Sequence, residues 1–220
     1  MATQVAIRRL LWVCAFGIAF AFVESSVVVY LRALYYPEGF TFPLKFMSKQ
    51  HIAVELIREA ATMIMLASVG IVAGQKKWER FGYFLVAFGV WDIFYYVWLK
   101  LILNWPLSLF DWDILFLIPL PWISPVIAPV VLALCMTLCG AGIVIRLARD
   151  EYFRPMLLSW ILSLSATLVA LYSFVSDIPA ALHGQTPSAY RYELLIASLA
   201  LYGAGFVTSC RSPASGRAHQ

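Results

Sequence analysis

The stretch HIAVELIREAATMIMLASVGIVAG, residues 51–74, is the most informative part of this chain. It contains a run of about 20 mostly apolar residues, the length that a helix needs to cross the hydrocarbon core of a bilayer. Its first part nevertheless carries Glu55, Arg58 and Glu59. A carboxylate at membrane depth costs several kcal/mol unless it is paired, protonated, hydrated or bound to a cation. The stretch therefore predicts a membrane-spanning helix that contributes to a functional site.

The composition of the whole chain is typical of an integral membrane protein. Of its 220 residues, 62% are hydrophobic and 13% are charged, and the mean hydropathy is +0.82. The charged share is about half that of an average soluble domain. We predict an all-α, polytopic helical bundle that forms a single transmembrane domain over residues 1–209, followed by a disordered cytoplasmic tail over 210–220. The six predicted spans are 10–31, 53–73, 82–103, 122–145, 156–175 and 193–209.

A Pro-rich segment precedes the fourth predicted span. The prolines are Pro119, Pro121, Pro125 and Pro129, and each removes a backbone donor that a helix would use. We predict a broken, interfacial or re-entrant piece over 107–121, with the fourth span starting near its end. Broken segments at membrane depth usually line a cavity. A Pro-rich loop that dips into the headgroups is the alternative.

The basic residues predict the orientation of the chain. With the N-terminus in the cytoplasm, the inner segments hold Arg8, Arg9, Lys76, Lys77, Arg80, Arg146, Arg149, Arg154, Arg211 and Arg217. The outer loops and rims then hold Arg32, Lys45, Lys49, Lys100 and Arg191. This bias predicts a multi-pass protein with both termini cytoplasmic. Because the basic residues are scattered in short loops, we expect no nucleic acid partner.

Four carboxylates lie inside the predicted spans. They are Glu24, Glu55, Glu59 and Asp92, and together they carry four negative charges. Arg58 adds one positive charge in the same segments. At about 100° per residue, the polar side chains of the second span, including His51, fall within an arc of roughly 100°. Such a stripe should face the interior of a bundle. We therefore predict a site in the outer half of the bilayer, in which Glu24, Glu59, Asp92 and Arg58 are the catalytic or ion-binding residues.

A metal site is one interpretation of this acidic face. His51 and Glu55 have the i, i+4 spacing that lets one helix offer two ligands. Glu24, Glu59, Asp92 and His183 would complete the ligand set. A divalent metal that prefers oxygen ligands, Fe, Mn, Mg or Ca, is the cofactor that this ligand set favours.

A proton or cation path is a second interpretation, in which the protein is a small coupled transporter or channel. Glu55 would lie near the interface, Glu24 and Glu59 deeper, and Asp92 near the centre of the bilayer. Carboxylates at stepped depths can relay protons. The inner half offers no continuation, so the pattern favours a half-channel that leads to a site.

A membrane-embedded enzyme that acts on a lipid-like or small apolar substrate is the interpretation that we favour. Aromatic residues surround Asp92 in the sequence, and carboxylates near an apolar pocket suit general acid and base steps. The predicted pocket residues are Trp91, Tyr95, Tyr96, Asp111 and Asp113. The chain has no Gly-rich phosphate loop, no H-E-x-x-H and no G-x-S-x-G, which excludes several common enzyme classes.

A structural role is the remaining interpretation. Arg58 would then form a buried network with Glu24 and Glu59 that fixes the register of the helices, with Glu55 in the headgroup zone. The partners expected under the different interpretations are the bilayer itself, a lipid-like ligand, a larger membrane complex, and a second copy of the chain.

Overall fold

The computed structural model describes residues 1–39, 48–117, 121–176, 178 and 189–211. In these residues the chain forms α1 (Ala2–Tyr35), α2 (Lys49–Ala73), α3 (Lys77–Leu103), β1 (Trp112–Phe116), β2 (Trp122–Pro125), α4 (Ile127–Ala148), α5 (Leu157–Val175) and α6 (Tyr192–Cys210). All six of these helices are long and apolar enough to cross a membrane. The prediction of six helices that could span a membrane is thereby confirmed within the described part of the chain. The orientation of the termini stays a prediction.

The helix ends lie where the sequence supplies caps and breakers. Ser48 caps α2, because its hydroxyl accepts a hydrogen bond from the backbone N–H of His51 at 3.2 Å. α3 ends before Asn104, which has a positive φ of 51°, and Pro106 follows two residues later. α6 extends to Cys210, one residue into the predicted tail. The rest of that tail, from 212 onward, lies outside the described residues.

α3 is the central helix of the bundle, and it packs against α1, α2 and α4. Its contact with α4 is close because both helices carry glycine there. A Cβ atom on Gly89 would lie 2.3 Å from the carbonyl oxygen of Ala133, and one on Gly82 would lie 2.9 Å from the carbonyl oxygen of Gly140. On α1, Gly17 faces Val90 of α3. Small residues thus let the backbones approach, as is common between membrane helices.

The Pro-rich segment contains a β-hairpin, an element that the prediction of an all-α bundle with a broken, interfacial or re-entrant piece did not include. β1 and β2 pair in antiparallel fashion, with Trp112 opposite Pro125 and Asp113 opposite Ser124. The turn residues 118–120, including Pro119, lie outside the described part of the chain. The fourth helix begins at Ile127 and not near Trp122, because 122–125 are extended. Pro129 lies in the first turn of α4, where proline costs no helical hydrogen bond.

The hairpin defines one end of the bundle, which we call the hairpin end. α1, α3 and α5 finish there, and α2, α4 and α6 begin there. α5 and α6 pack mainly on each other. The pair is therefore set apart from α3 and α4, and a cavity lies between the two groups of helices.

Candidate functional site

Arg58 joins two carboxylates between α1 and α2. Its Nε donates to Glu55 Oε2 at 2.9 Å, and its Nη1 is ion-paired with Glu24. The hydroxyl of Thr62 also donates to Glu24 Oε1 at 2.9 Å. We call these four residues the Arg58 network. Since Glu24 is only 4% exposed, the ion pair with Arg58 is what compensates the cost of its burial.

Glu59 also lies on α2, but it binds the hairpin and not α1. It is 4% exposed, and its two carboxylate oxygens accept the backbone N–H of Leu117 at 2.8 Å and 3.0 Å. Leu117 comes directly after β1. The carboxylate therefore fastens the hairpin to α2.

A second buried ion pair ties the hairpin to α1. Arg32 Nη2 donates to Asp113 Oδ1 at 3.1 Å, and the guanidinium also lies 3.7 Å from the centre of the Trp105 ring. Arg32 is 8% exposed and Asp113 2% exposed. Burial raises the pKa of the Asp113 carboxyl to about 6, although the guanidinium of Arg32 and the backbone N–H of Ile114 oppose the shift. Asp113 Oδ2 is buried without a regular hydrogen bond among the described residues.

Asp92 faces a different space from the other buried acids. It lines a cavity of about 460 Å³ that is bounded by α3, the hairpin, α4, α5 and α6. Within the described residues its carboxyl has no hydrogen bond and no ion pair, and it is the only charged side chain in the cavity wall. Asp113 is close enough to Asp92 to interact with it electrostatically.

The rest of the cavity wall is almost entirely apolar. On α3 it consists of a stripe at helical spacing, Trp78, Phe81, Leu85, Phe88 and Asp92. The hairpin adds Phe116 and Trp122, whose ring centres are 5.5 Å apart, and Trp122 is stacked on Phe174 of α5 at 6.0 Å. Three aromatic rings therefore border the hairpin end of the cavity.

The predicted catalytic residues occupy three separate places. The structure brings Glu24 and Arg58 together, it places Glu59 against the hairpin, and it leaves Asp92 in the cavity. Among the described residues, no contact joins Glu24, Glu59 and Asp92, and their assignment as catalytic residues stays a prediction. The predicted structural network also needs a correction, because Arg58 binds Glu55 where we expected Glu59.

The predicted pocket residues lie around the cavity but do not line it. Trp91 is buried in the core against Phe20 and Phe88, and Tyr96 is buried with its ring 6.3 Å from that of Trp105. Tyr95 packs against both Trp91 and Tyr96. Asp111 caps a turn, since its Oδ2 accepts the backbone N–H of Leu107 at 2.7 Å and of Ser108 at 3.2 Å. Asp113 pairs with Arg32.

The predicted metal ligands are not brought together in the described part of the chain. His51 is exposed and hydrogen-bonded through Nδ1 to the hydroxyl of Tyr35, whereas Glu55 is engaged by Arg58. No group of three or more His, Cys, Asp or Glu side chains in the described residues is arranged to hold a metal ion. His183 lies outside those residues.

Two parts of the site are not predicted by the sequence pattern. The count of basic residues places Arg32 at an outer rim, although its distance of eight residues from Glu24 puts both on one face of α1. The cavity wall from α4, α5 and α6 escapes prediction because its residues are apolar and resemble any packed membrane helix. The stripe on α3 that ends at Asp92 is the signal that could have indicated it.

Comparison of the chain with protein-family models, curated proteins and solved structures finds no match. The fold and the site alone therefore define the class of the protein: its described residues form six helices long and apolar enough to cross a membrane, with an apolar cavity between them.

Proposed function

We propose that the protein is a membrane-embedded enzyme that acts on a lipid-like, apolar substrate, with Asp92 as the general acid and base. The observation that carries this proposal is the presence of one unpaired carboxyl in the wall of an apolar cavity of about 460 Å³. A cavity of this size is within the range of small-molecule sites, which are mostly apolar with a few polar groups that orient the ligand.

The surroundings of Asp92 support an acid role. None of the described residues in the cavity wall is a cation that could pair with the carboxylate, and burial of an unpaired charge costs far more than burial of a neutral carboxyl. The protonated form is therefore favoured while the cavity is dry. A carboxyl held in this form can give a proton to an apolar substrate and take one back, a role worth about 10²–10⁴ in rate.

In this proposal, the other buried charged residues hold the helices and the hairpin in position. The Arg58 network joins α1 to α2, while the Glu59–Leu117 and Arg32–Asp113 contacts hold the hairpin against α2 and α1. The hairpin in turn supplies Phe116 and Trp122 to the wall of the cavity that Asp92 also lines. These acids are engaged by donors of the protein, which makes them weaker candidates for proton relay or ion transport than Asp92.

Solvent deuterium tests this proposal even while the substrate is unidentified. A membrane lipid extract is incubated with the purified protein in D₂O, and deuterium bound to carbon is measured by mass spectrometry. The wild-type protein should label a lipid, and Asp92→Asn should lower the labelling by about 10²-fold or more. Glu193→Gln, which removes an exposed carboxylate at the start of α6, is the matched control and should label as wild type.

A second variant separates a catalytic loss from misfolding. Met136→Trp fills the cavity from α4, whereas Leu138→Trp adds the same side chain to the exposed face of that helix. Labelling should be lost only in the first of these. Labelling by Asp92→Asn at the wild-type rate would reject the proposal, and an absence of labelling by the wild-type protein would favour the structural or assembly role.

A further inference from the structure

We infer that the cavity accepts one extended isoprenoid chain, taken from the bilayer, with one of its double bonds beside Asp92. This inference rests on the proposed function, and it names the class of substrate. Three features carry it: the elongated shape of the cavity, the lipid-facing part of its wall, and the aromatic rings at its hairpin end.

The cavity is long and follows the helix axes. On α3 its wall runs from Trp78 to Asp92, and on α4 from Pro129 to Ile143. Each pair is separated by 14 positions in the sequence, and a rise of 1.5 Å per residue makes this ~21 Å. The same distance along two neighbouring helices describes a groove that spans most of the hydrocarbon core of a bilayer, ~30 Å thick.

The cavity is also elongated. A volume of about 460 Å³ that extends over ~21 Å forms a slot and not a round pocket. A flexible hydrocarbon chain can follow such a slot over its whole length, whereas the rigid fused rings of a sterol cannot bend with it.

Part of the cavity wall reaches the surface that the lipids contact. Phe81 of α3 and Trp160 and Leu164 of α5 belong to the wall, and they are 43%, 47% and 58% exposed. Because all three side chains are apolar, we expect entry from the acyl-chain region and not from water.

The rings at the hairpin end favour an unsaturated chain over a saturated one. Asp92 would donate its proton to one carbon of a C=C bond, so that the O–H bond breaks, a C–H bond forms and the π electron pair is consumed. The positive charge left on the other carbon would face Phe116, Trp122 and Phe174, whose π faces attract cations. The Asp92 carboxylate would then take a proton from a neighbouring carbon, which restores the acid and leaves a shifted double bond. No oxidant or reductant is needed.

Three probes test the substrate class on the full-length protein in detergent. Geranylgeraniol is an unsaturated isoprenoid chain, phytanol is its saturated counterpart, and cholesterol is a rigid ring system. Native mass spectrometry should show binding of both chains and not of cholesterol, and Met136→Trp should weaken chain binding by about tenfold or more, with Leu138→Trp unchanged. In D₂O, only geranylgeraniol should gain deuterium.

The outcomes distinguish this inference from the function on which it rests. Cholesterol binding that equals geranylgeraniol binding, or chain binding that is unchanged in Met136→Trp, would overturn the assignment of a single chain. Chain-selective binding without deuterium gain by geranylgeraniol would support the shape argument and overturn the double-bond chemistry. Deuterium gain that persists in Asp92→Asn would instead reject the proposed function itself.

Discussion

Arg32 of α1 and Asp113 of β1 form an ion pair of 3.1 Å that is almost completely excluded from solvent. The pair joins residues that are 81 positions apart in the chain. It also fixes the hairpin to the helix that starts the bundle. Removal of one partner from a buried ion pair is far more costly than loss of an exposed pair, because the other charge is left without compensation.

We expect Arg32→Gln to lower the free energy of unfolding by about 3–5 kcal/mol. Thermal and denaturant unfolding in detergent measure this loss. Arg149→Gln is the matched control, because Arg149 is exposed and pairs with Glu151 at 3.9 Å, where an ion pair contributes about 0–1 kcal/mol. Equal effects of the two substitutions would contradict a stabilising role for the Arg32–Asp113 pair.

The stability of the protein should depend on pH through Asp113. Burial raises the pKa of this carboxyl from 3.8 to about 6. The folded protein thus binds the proton more tightly than the unfolded chain, and the stability that this contributes is present below pH 3.8 and is lost as the pH rises through about 6. Between about pH 4 and pH 7, the unfolding free energy of the wild type should fall relative to that of Asp113→Asn, by about 2 kcal/mol. A gap between the two proteins that is the same at both pH values would contradict the shift.

Arg58 should be the most sensitive residue of α2. Arg58→Gln leaves Glu24 and Glu55 close together without a cation, and a loss of about 3–5 kcal/mol is expected. Arg58→Lys keeps the charge but loses the fork that binds two carboxylates, so its effect should be smaller. A second substitution, Glu24→Gln, should recover part of the loss in Arg58→Gln, with a coupling of about 0.5–3 kcal/mol. Unfolding free energies of the wild type, the two single variants and the double variant measure this coupling, and strict additivity would show that the Arg58–Glu24 pair is energetically silent.

Glu59 should control the local stability of the hairpin. Glu59→Leu removes the acceptor for the Leu117 N–H, and leaving this donor without a partner costs about 1–3 kcal/mol. Hydrogen exchange should accelerate over residues 112–117. Glu59→Gln keeps an oxygen acceptor, so its exchange should remain close to that of the wild type. Similar exchange in all three proteins would mean that the carboxylate does not fasten the hairpin.

Gly89 should not tolerate a side chain. A Cβ atom there would lie 2.3 Å from the carbonyl oxygen of Ala133 and from the hydroxyl oxygen of Thr137, so Gly89→Ala forces α3 and α4 apart. We expect a loss of about 1–3 kcal/mol or more in unfolding free energy. Gly203→Ala on α6 is the control, because nothing lies within 4 Å of its Cβ position, and alanine favours a helix by about 1 kcal/mol. Destabilisation by both substitutions alike would argue against the close contact.

The spans were predictable because hydropathy is a property of the local sequence. The pairing of Glu55 with Arg58 was within reach for the same reason, since residues three positions apart on a helix are neighbours. The hairpin was not, because Trp112 and Trp122 begin strands that become stable only by pairing with each other and packing against α5. A Pro-rich apolar run is equally compatible with a loop, a broken helix and paired strands.

The candidate site, too, was predictable only in part from the sequence. The sequence identified Asp92 and the acids of α2 as costly to bury, which follows from charge and depth alone. It could not assign a separate partner to each acid, because Arg32, Leu117 and the cavity are contributed by segments that are distant in the chain.

Hydropathy alone was enough to predict six helices that are long and apolar enough to cross a membrane, as the described residues show. The charged residues within them were enough to predict that buried charge must be compensated. The partner of each charge became apparent only from the packed helices. Glu24 pairs with Arg58, Asp113 pairs with Arg32 and Glu59 accepts from a backbone donor, whereas Asp92 faces an apolar cavity. An ion pair or a hydrogen bond requires contact within a few Å, and such contacts between distant segments exist only after the helices have packed.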